Sequence, residues 1–99
     1  MRGFIVAQHS SEGRLVLAVC DSEIHGKMLE KKDVALDLSA RFYKGEEMDE
    51  IDVEKLMLHS YTIHAVGKNA VAIMIKLNLG DKEDVKRVAG VPHLQIVSL

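Results

Sequence analysis

Cysteine, proline and tryptophan are almost absent from this chain. Its 99 residues contain one cysteine, one proline and no tryptophan, and aromatic residues make up only 4%. A lone cysteine, Cys20, excludes a disulfide within the chain and leaves no cysteine pair to bind zinc. The first residues lack the basic and apolar regions of a signal peptide, and no uncharged stretch approaches the ~20 residues of a membrane-spanning helix. We therefore expect a cytoplasmic protein without a membrane segment.

An excess of charge of one sign is also missing. Thirteen Lys and Arg residues stand against fifteen Asp and Glu residues, which gives a net charge of −2. Because such a chain has no overall positive field, binding to RNA would depend on a local patch. The length and the 47% share of hydrophobic residues predict one soluble domain over residues 1–99.

The apolar periodicity predicts strands and helices in mixed order. The predicted strands cover residues 4–7, 15–19, 34–38, 61–66 and 94–97, with a long loop over 21–33. The predicted helices cover residues 50–60, 68–79 and 81–89. These elements define an α+β fold with a mixed or mostly antiparallel sheet of about five strands and two to three helices.

A glycine and a lysine stand between a predicted strand and a predicted helix. Gly67, Lys68 and Asn69 would place free N–H groups and the positive end of the helix dipole at one point, which favours an anion such as phosphate. The segment lacks the first glycine and the Ser/Thr of a P-loop. A structural turn is therefore the simpler interpretation, and an anion contact is the functional one.

Cys20 and the histidines are the residues with catalytic chemistry. A thiolate nucleophile needs a nearby base, and His93, at the start of the last predicted strand region, is a partner that would make a reactive pair with Cys20. The alternative is an inert core thiol, because cysteine is among the most buried residue types. The histidine spacing lacks close pairs, so we predict no metal site and no cofactor.

Basic and aromatic residues alternate with each other in one short segment. Arg41, Phe42, Tyr43 and Lys44 offer ring faces for stacking and cations for phosphate contact, as in proteins that bind single-stranded nucleic acid. Phe42 as a core anchor with Tyr43 at its rim is the structural alternative. The core role is the simpler interpretation, and a contact with RNA is the functional one.

The predicted helix 68–79 carries apolar residues around most of its circumference. One sheet face cannot cover them all, so an apolar patch would stay exposed. We therefore predict a homodimer through helix 68–79, with Met74 or Ile75 near the two-fold axis. The alternative is that other elements of the same chain cover this helix.

Four segments carry a family resemblance. They are LAVCD at 17–21 with Gly26 and Lys27, FYKGE at 42–46, VGKNAV at 66–71 and AGVPH at 89–93. Together they resemble domain-of-unknown-function family 424, a family of small archaeal proteins. The resemblance implies an archaeal cytosolic protein with no assigned catalytic residues.

Two classes of function remain open from the sequence. The first is a non-enzymatic binding or adaptor module linked to translation or RNA metabolism, with RNA or a ribosome-associated molecule as partner. The second is a small enzyme or anion-binding protein that uses Cys20 and His93, or the helix start at residues 67–69.

Overall fold

The chain folds into a mixed sheet with two helices on one side. A computed structural model describes residues 3–98. In chain order the elements are β1 (Phe4–Ser11), β2 (Arg14–Asp21), β3 (Met28–Lys31), β4 (Val34–Asp37), β5 (Glu46–Met48), α1 (Glu50–Leu58), β6 (Thr62–Val66), α2 (Lys68–Lys76), β7 (Lys86–Val88) and β8 (Val91–Val97). Single 3₁₀ turns lie at Ser22–Ile24, Arg41–Tyr43 and Lys82–Asp84.

The main sheet has six strands in the order β5-β1-β2-β6-β8-β7. β2 and β6 run parallel, and the other neighbours within this sheet are antiparallel. β3 and β4 form a separate hairpin. The α+β fold class and the mixed sheet are confirmed, and the sheet is larger than the five strands predicted.

Both faces of the sheet bury apolar side chains, because alternate residues of a strand point to opposite faces. On the first face, α1 and α2 pack over a core that includes Leu17, Val19, Ile63 and Met74. On the second face, the β3–β4 hairpin and the Arg41–Tyr43 turn cover a smaller core that includes Ala18, Cys20, Leu38, Tyr43 and Val66. The central strand β2 is therefore apolar on both sides, whereas β6 is apolar on the first face and only at Val66 on the second.

Three expectations about individual segments were wrong. Residues 81–89 form a 3₁₀ turn and strand β7 instead of a helix, because the Asp81 side chain makes no capping hydrogen bond and Val85 and Val88 each pack into a core. Part of the expected loop 21–33 is strand β3. An edge strand, β5, precedes α1 where no strand was predicted.

Helix α2 is shorter than predicted and largely covered within the chain. It ends at Lys76, and Ala70, Val71, Ile73 and Met74 are buried. The α1 helix and the sheet supply this cover, as the alternative interpretation required. The homodimer through helix 68–79 stays a prediction. Within residues 3–98, neither helix is long and apolar enough to cross a membrane.

Candidate functional site

Cys20 is sealed in the core of the second face. Its side chain is 0% exposed, and burial together with the neighbouring Asp21 raises the pKa of the thiol to about 12. In the sheet register, Cys20 pairs with Val66 and Val66 pairs with His93. Strands lie ~4.8 Å apart, so about 10 Å separates the backbones of Cys20 and His93. The structure does not bring the predicted reactive pair together.

The start of α2 holds a carboxylate of the chain itself. Asp21, at the end of β2, accepts hydrogen bonds from the backbone N–H groups of Asn69 at 3.0 Å and Ala70 at 2.8 Å. Asp21 is only 2% exposed, and burial raises its pKa while the two N–H groups and Lys68 oppose that rise. Of the N–H groups that Gly67, Lys68 and Asn69 were expected to offer to an external anion, that of Asn69 is thus taken by Asp21, which also occupies the next donor, Ala70.

Gly67 makes this arrangement possible. Its φ of 110° lies in a region that favours glycine, and a Cβ at this position would overlap the carboxyl group of Asp21. Its N–H donates to the carbonyl of Pro92 at 2.8 Å. Sequence reasoning found the glycine and missed Asp21, because the contact spans 48 residues.

The Arg41–Tyr43 turn places Phe42 in a cluster of rings. The Phe42 ring stacks on His9 with a centroid distance of 4.9 Å and an interplanar angle of 11°. It meets His64 and Tyr43 edge-on, at 5.0 and 5.2 Å. Tyr43 is buried, whereas Phe42 is half-buried. The structure therefore reverses the roles expected for the core interpretation, because Tyr43 is the buried ring and Phe42 lies at the rim.

Two histidines hold the backbone of this turn. Nε2 of His9 lies 2.9 Å from the carbonyl oxygen of Phe42, and Nε2 of His25 lies 3.0 Å from that of Tyr43. Because a carbonyl oxygen can only accept, each Nε2 carries a hydrogen and donates. The side chains of Arg41 and Lys44 are left exposed at either end of the turn.

Beside this turn, part of the second sheet face is uncovered. His64 on β6 lies directly opposite Gln95 on β8, and His93 and Val97 are the alternate neighbours of Gln95 on the same face. Gln95 and Val97 are exposed, and the two histidines are half-buried. We call the surface formed by His64, His93, Gln95 and Val97, with Phe42 at its border, the open sheet face.

The imidazoles of the open sheet face favour their neutral form. Burial lowers the pKa of His64, and burial together with Lys86 lowers that of His93. Neutral rings of this kind stack on flat apolar ligands and form directional hydrogen bonds. Sequence reasoning placed both histidines on strands, but their shared surface depends on β6 and β8 being neighbours, which no local pattern reveals.

Charge is unevenly distributed around the sheet. Residues 46–55, on strand β5 and the start of α1, contain six acids and one base, and the rest of the chain holds twelve bases and nine acids. β5 is one edge of the sheet, and β8 lies on the other side of the centre. Strands β6 and β8 of the open sheet face are thus separated from the acidic edge by β1 and β2. Among residues 3–98, no group of three or more His, Cys, Asp or Glu side chains is arranged to hold a metal ion.

The fold and these surfaces define a small α+β protein with a helix-backed mixed sheet and one partly open sheet face. Comparison with known families identifies its relatives: the model of the family described as "Protein of unknown function (DUF424)" matches residues 9–99. The chain belongs to this family.

A solved structure shares the fold. The crystal structure of an uncharacterized conserved protein from Methanopyrus kandleri is 23% identical and superposes with a TM-score of 0.77. The match covers 97% of this chain and 93% of the other. No curated protein matches the chain.

Proposed function

We propose that this protein is a non-enzymatic binding module for single-stranded RNA and that the open sheet face is its binding surface. The observation that carries the proposal is the group of rings at one sheet face: Phe42 meets His64 edge-on at 5.0 Å, and His93 lies on the neighbouring strand of the same face. Single-stranded RNA is recognised by stacking of its unpaired bases on exposed rings and by hydrogen bonds to their edges.

The arrangement of the rings assigns different roles to them. Phe42 already stacks on His9, so it supports the border of the surface and keeps His64 in place. His64 and His93 are the rings that bases would contact, because they lie along the uncovered strands β6 and β8. Gln95 lies between them in the register and offers both a donor and an acceptor to a base edge.

Cations border this surface where the phosphates of a bound strand would pass. Arg41 and Lys44 are exposed beside Phe42, and Lys86 lies directly opposite His93. These three residues supply the local patch that a protein of net charge −2 needs for RNA. A cytoplasmic protein with this surface would find its partner in ribosomal or other RNA of an archaeal cell.

The enzyme alternative has less support from the geometry. The Cys20 thiol is sealed and protonated, and Val66 separates it from His93. The anion alternative at residues 67–69 would require an external anion to displace Asp21 or bind to Lys68 alone. Neither arrangement offers an unoccupied reactive centre.

Fluorescence anisotropy with a labelled single-stranded RNA tests the proposal. Replacing His64 or His93 with Ala should weaken binding by the ~1–3 kcal/mol of one stacked base, roughly 5-fold to 150-fold. The matched control is His59→Ala, which removes an exposed histidine at the end of α1. Circular dichroism checks that each variant is folded.

The cations are tested by the salt dependence of the same binding. Arg41→Ala combined with Lys44→Ala should flatten the slope of log K against log salt by about 1.4, since each lost phosphate contact removes ~0.7 on single strands. Lys55→Ala combined with Lys76→Ala removes equal charge from the two helices and should leave the slope unchanged. Absence of binding by the unmodified protein, or equal losses in variants and controls, would refute the proposal. A pull-down from archaeal extract with and without ribonuclease then identifies the RNA.

A further inference from the structure

A cavity of about 440 Å³ lies at the outer end of the open sheet face. Its lining side chains are Asp84, Lys86, His93, Gln95 and Val97. Its volume falls in the range of pockets that hold a small ligand. It extends the surface proposed for RNA, because His93, Gln95 and Val97 belong to both.

The strand register explains why four of these five side chains converge, and the turn before β7 adds Asp84. His93, Gln95 and Val97 alternate along β8 and therefore point to the same face. Lys86 on β7 pairs directly with His93, and Asp84 lies two residues before Lys86. β7 begins only at Lys86, so the part of β8 that follows His93 has no strand paired to it on the β7 side. The cavity forms in this gap.

The cavity wall combines groups of different hydrogen-bonding character. Asp84 offers carboxylate oxygens that only accept, and Lys86 offers an ammonium group that only donates. Gln95 offers an amide that does both. His93 and Val97 provide a ring and an aliphatic surface against which a flat ligand can pack.

Resting on the proposed function, we infer that this cavity is a subsite that reads one RNA base and prefers cytosine to uracil. Asp84 would accept a hydrogen bond from the exocyclic amine of cytosine, a pairing found repeatedly between acidic side chains and this base. Uracil has the same size and presents a carbonyl oxygen at that position, which a carboxylate repels. Lys86 would contact the adjoining phosphate and contribute equally to both bases.

The discriminating experiment compares oligocytidine and oligouridine of equal length by anisotropy. The unmodified protein should bind oligocytidine roughly tenfold more tightly. Asp84→Asn should bring the two affinities close together, because an amide can donate to the uracil carbonyl as well as accept. Asp81→Asn, which removes the same charge from the same exposed turn, should preserve the preference. Lys86→Ala should weaken both complexes by a similar factor.

The outcomes separate the two claims. If both oligonucleotides bind equally, or if Asp84→Asn leaves the preference intact, the base-reading subsite is refuted while RNA binding by the open sheet face stands. If neither oligonucleotide binds, the proposed function fails and the subsite fails with it. A preference that Asp84→Asn abolishes and Asp81→Asn preserves supports both.

Discussion

Replacement of Gly67 by alanine tests whether the contact between β2 and the start of α2 is as tightly constrained as the structure indicates. Gly67 has a φ of 110° and a ψ of 152°, a combination populated almost only by glycine. An added Cβ would also overlap the Asp21 carboxyl group. The substitution therefore affects both the backbone and the cap of α2.

The expected magnitude follows from these two effects. Forcing an alanine into this backbone region costs about 1–3 kcal/mol. Displacing Asp21 weakens its hydrogen bonds to the N–H groups of Asn69 and Ala70, each worth about 1.5–3 kcal/mol for a charged acceptor. Displacement of the Asp21 carboxylate also relieves part of the cost of burying its charge, which offsets part of the loss of these hydrogen bonds. We expect Gly67→Ala to lower the free energy of unfolding by roughly 3–5 kcal/mol, a large share of the 5–15 kcal/mol of a typical domain.

Urea unfolding followed by circular dichroism measures this effect against a matched control. Gly13→Ala places an alanine at a φ of 77° with no atom within 4 Å of the new Cβ, so it should cost only the ~1–2 kcal/mol of the backbone strain. In an Asp21→Ala background, Gly67→Ala should cost less than in the unmodified protein, because the carboxyl group that it overlaps is gone. If Gly67→Ala costs no more than Gly13→Ala, the reasoning about Asp21 is wrong.

Two further predictions concern the thiol and the histidines. Cys20→Ser should lower the free energy of unfolding by about 1–3 kcal/mol, because it buries a hydroxyl group. The cost should lie toward the low end, since the hydroxyl can donate to the backbone carbonyl of Asp21 as the thiol does at 3.4 Å. Rapid modification of the native protein by a bulky thiol reagent would contradict the burial of Cys20. Folding lowers the pKa values of His64 and His93, so the unfolded chain binds more protons than the folded one. The contribution of these two histidines to stability is therefore present above the ordinary pKa of 6.5 and is lost as the pH falls below it. Urea unfolding at pH 7.5 and 5.5 measures how much the free energy of unfolding falls with pH. This fall should be smaller for His64→Gln than for the unmodified protein, and an equal fall would argue against a lowered pKa of His64.

Local sequence patterns predicted the elements in which apolar residues follow a regular spacing. Helix α1 begins at Glu50 as expected, because Asp49 caps it by accepting from the N–H of Asp52 and the apolar residues follow at helical spacing. Strand β2 was found because both of its faces are apolar. Strand β5 was missed because Glu46 and Glu47 give an edge strand the composition of a solvated helix start.

The candidate site was predictable only in part. Arg41 and Phe42 were singled out by composition, and the structure places them beside the uncovered strands. The open sheet face itself depends on strand order. β6 lies between β2 and β8, which aligns His64 with Gln95 and keeps Cys20 away from His93. Strand order is set by contacts between segments that are distant in the sequence, and the apolar periodicity of a single sequence does not predict such contacts.

The parallel pairing of β2 and β6 divides the sheet into two contiguous halves. Strands β1, β2 and β5 come from the first half of the chain, and strands β6, β7 and β8 come from the second. The seam between the halves pairs residues more than forty positions apart and carries the entropic penalty of long-range contacts, as does the β1–β5 pairing within the first half. Asp21 meets α2 across this seam, and Phe42 meets His64 across it. The contact between Phe42 and His64 therefore forms only when the two halves dock, so unfolding that separates β2 from β6 also removes the border of the open sheet face.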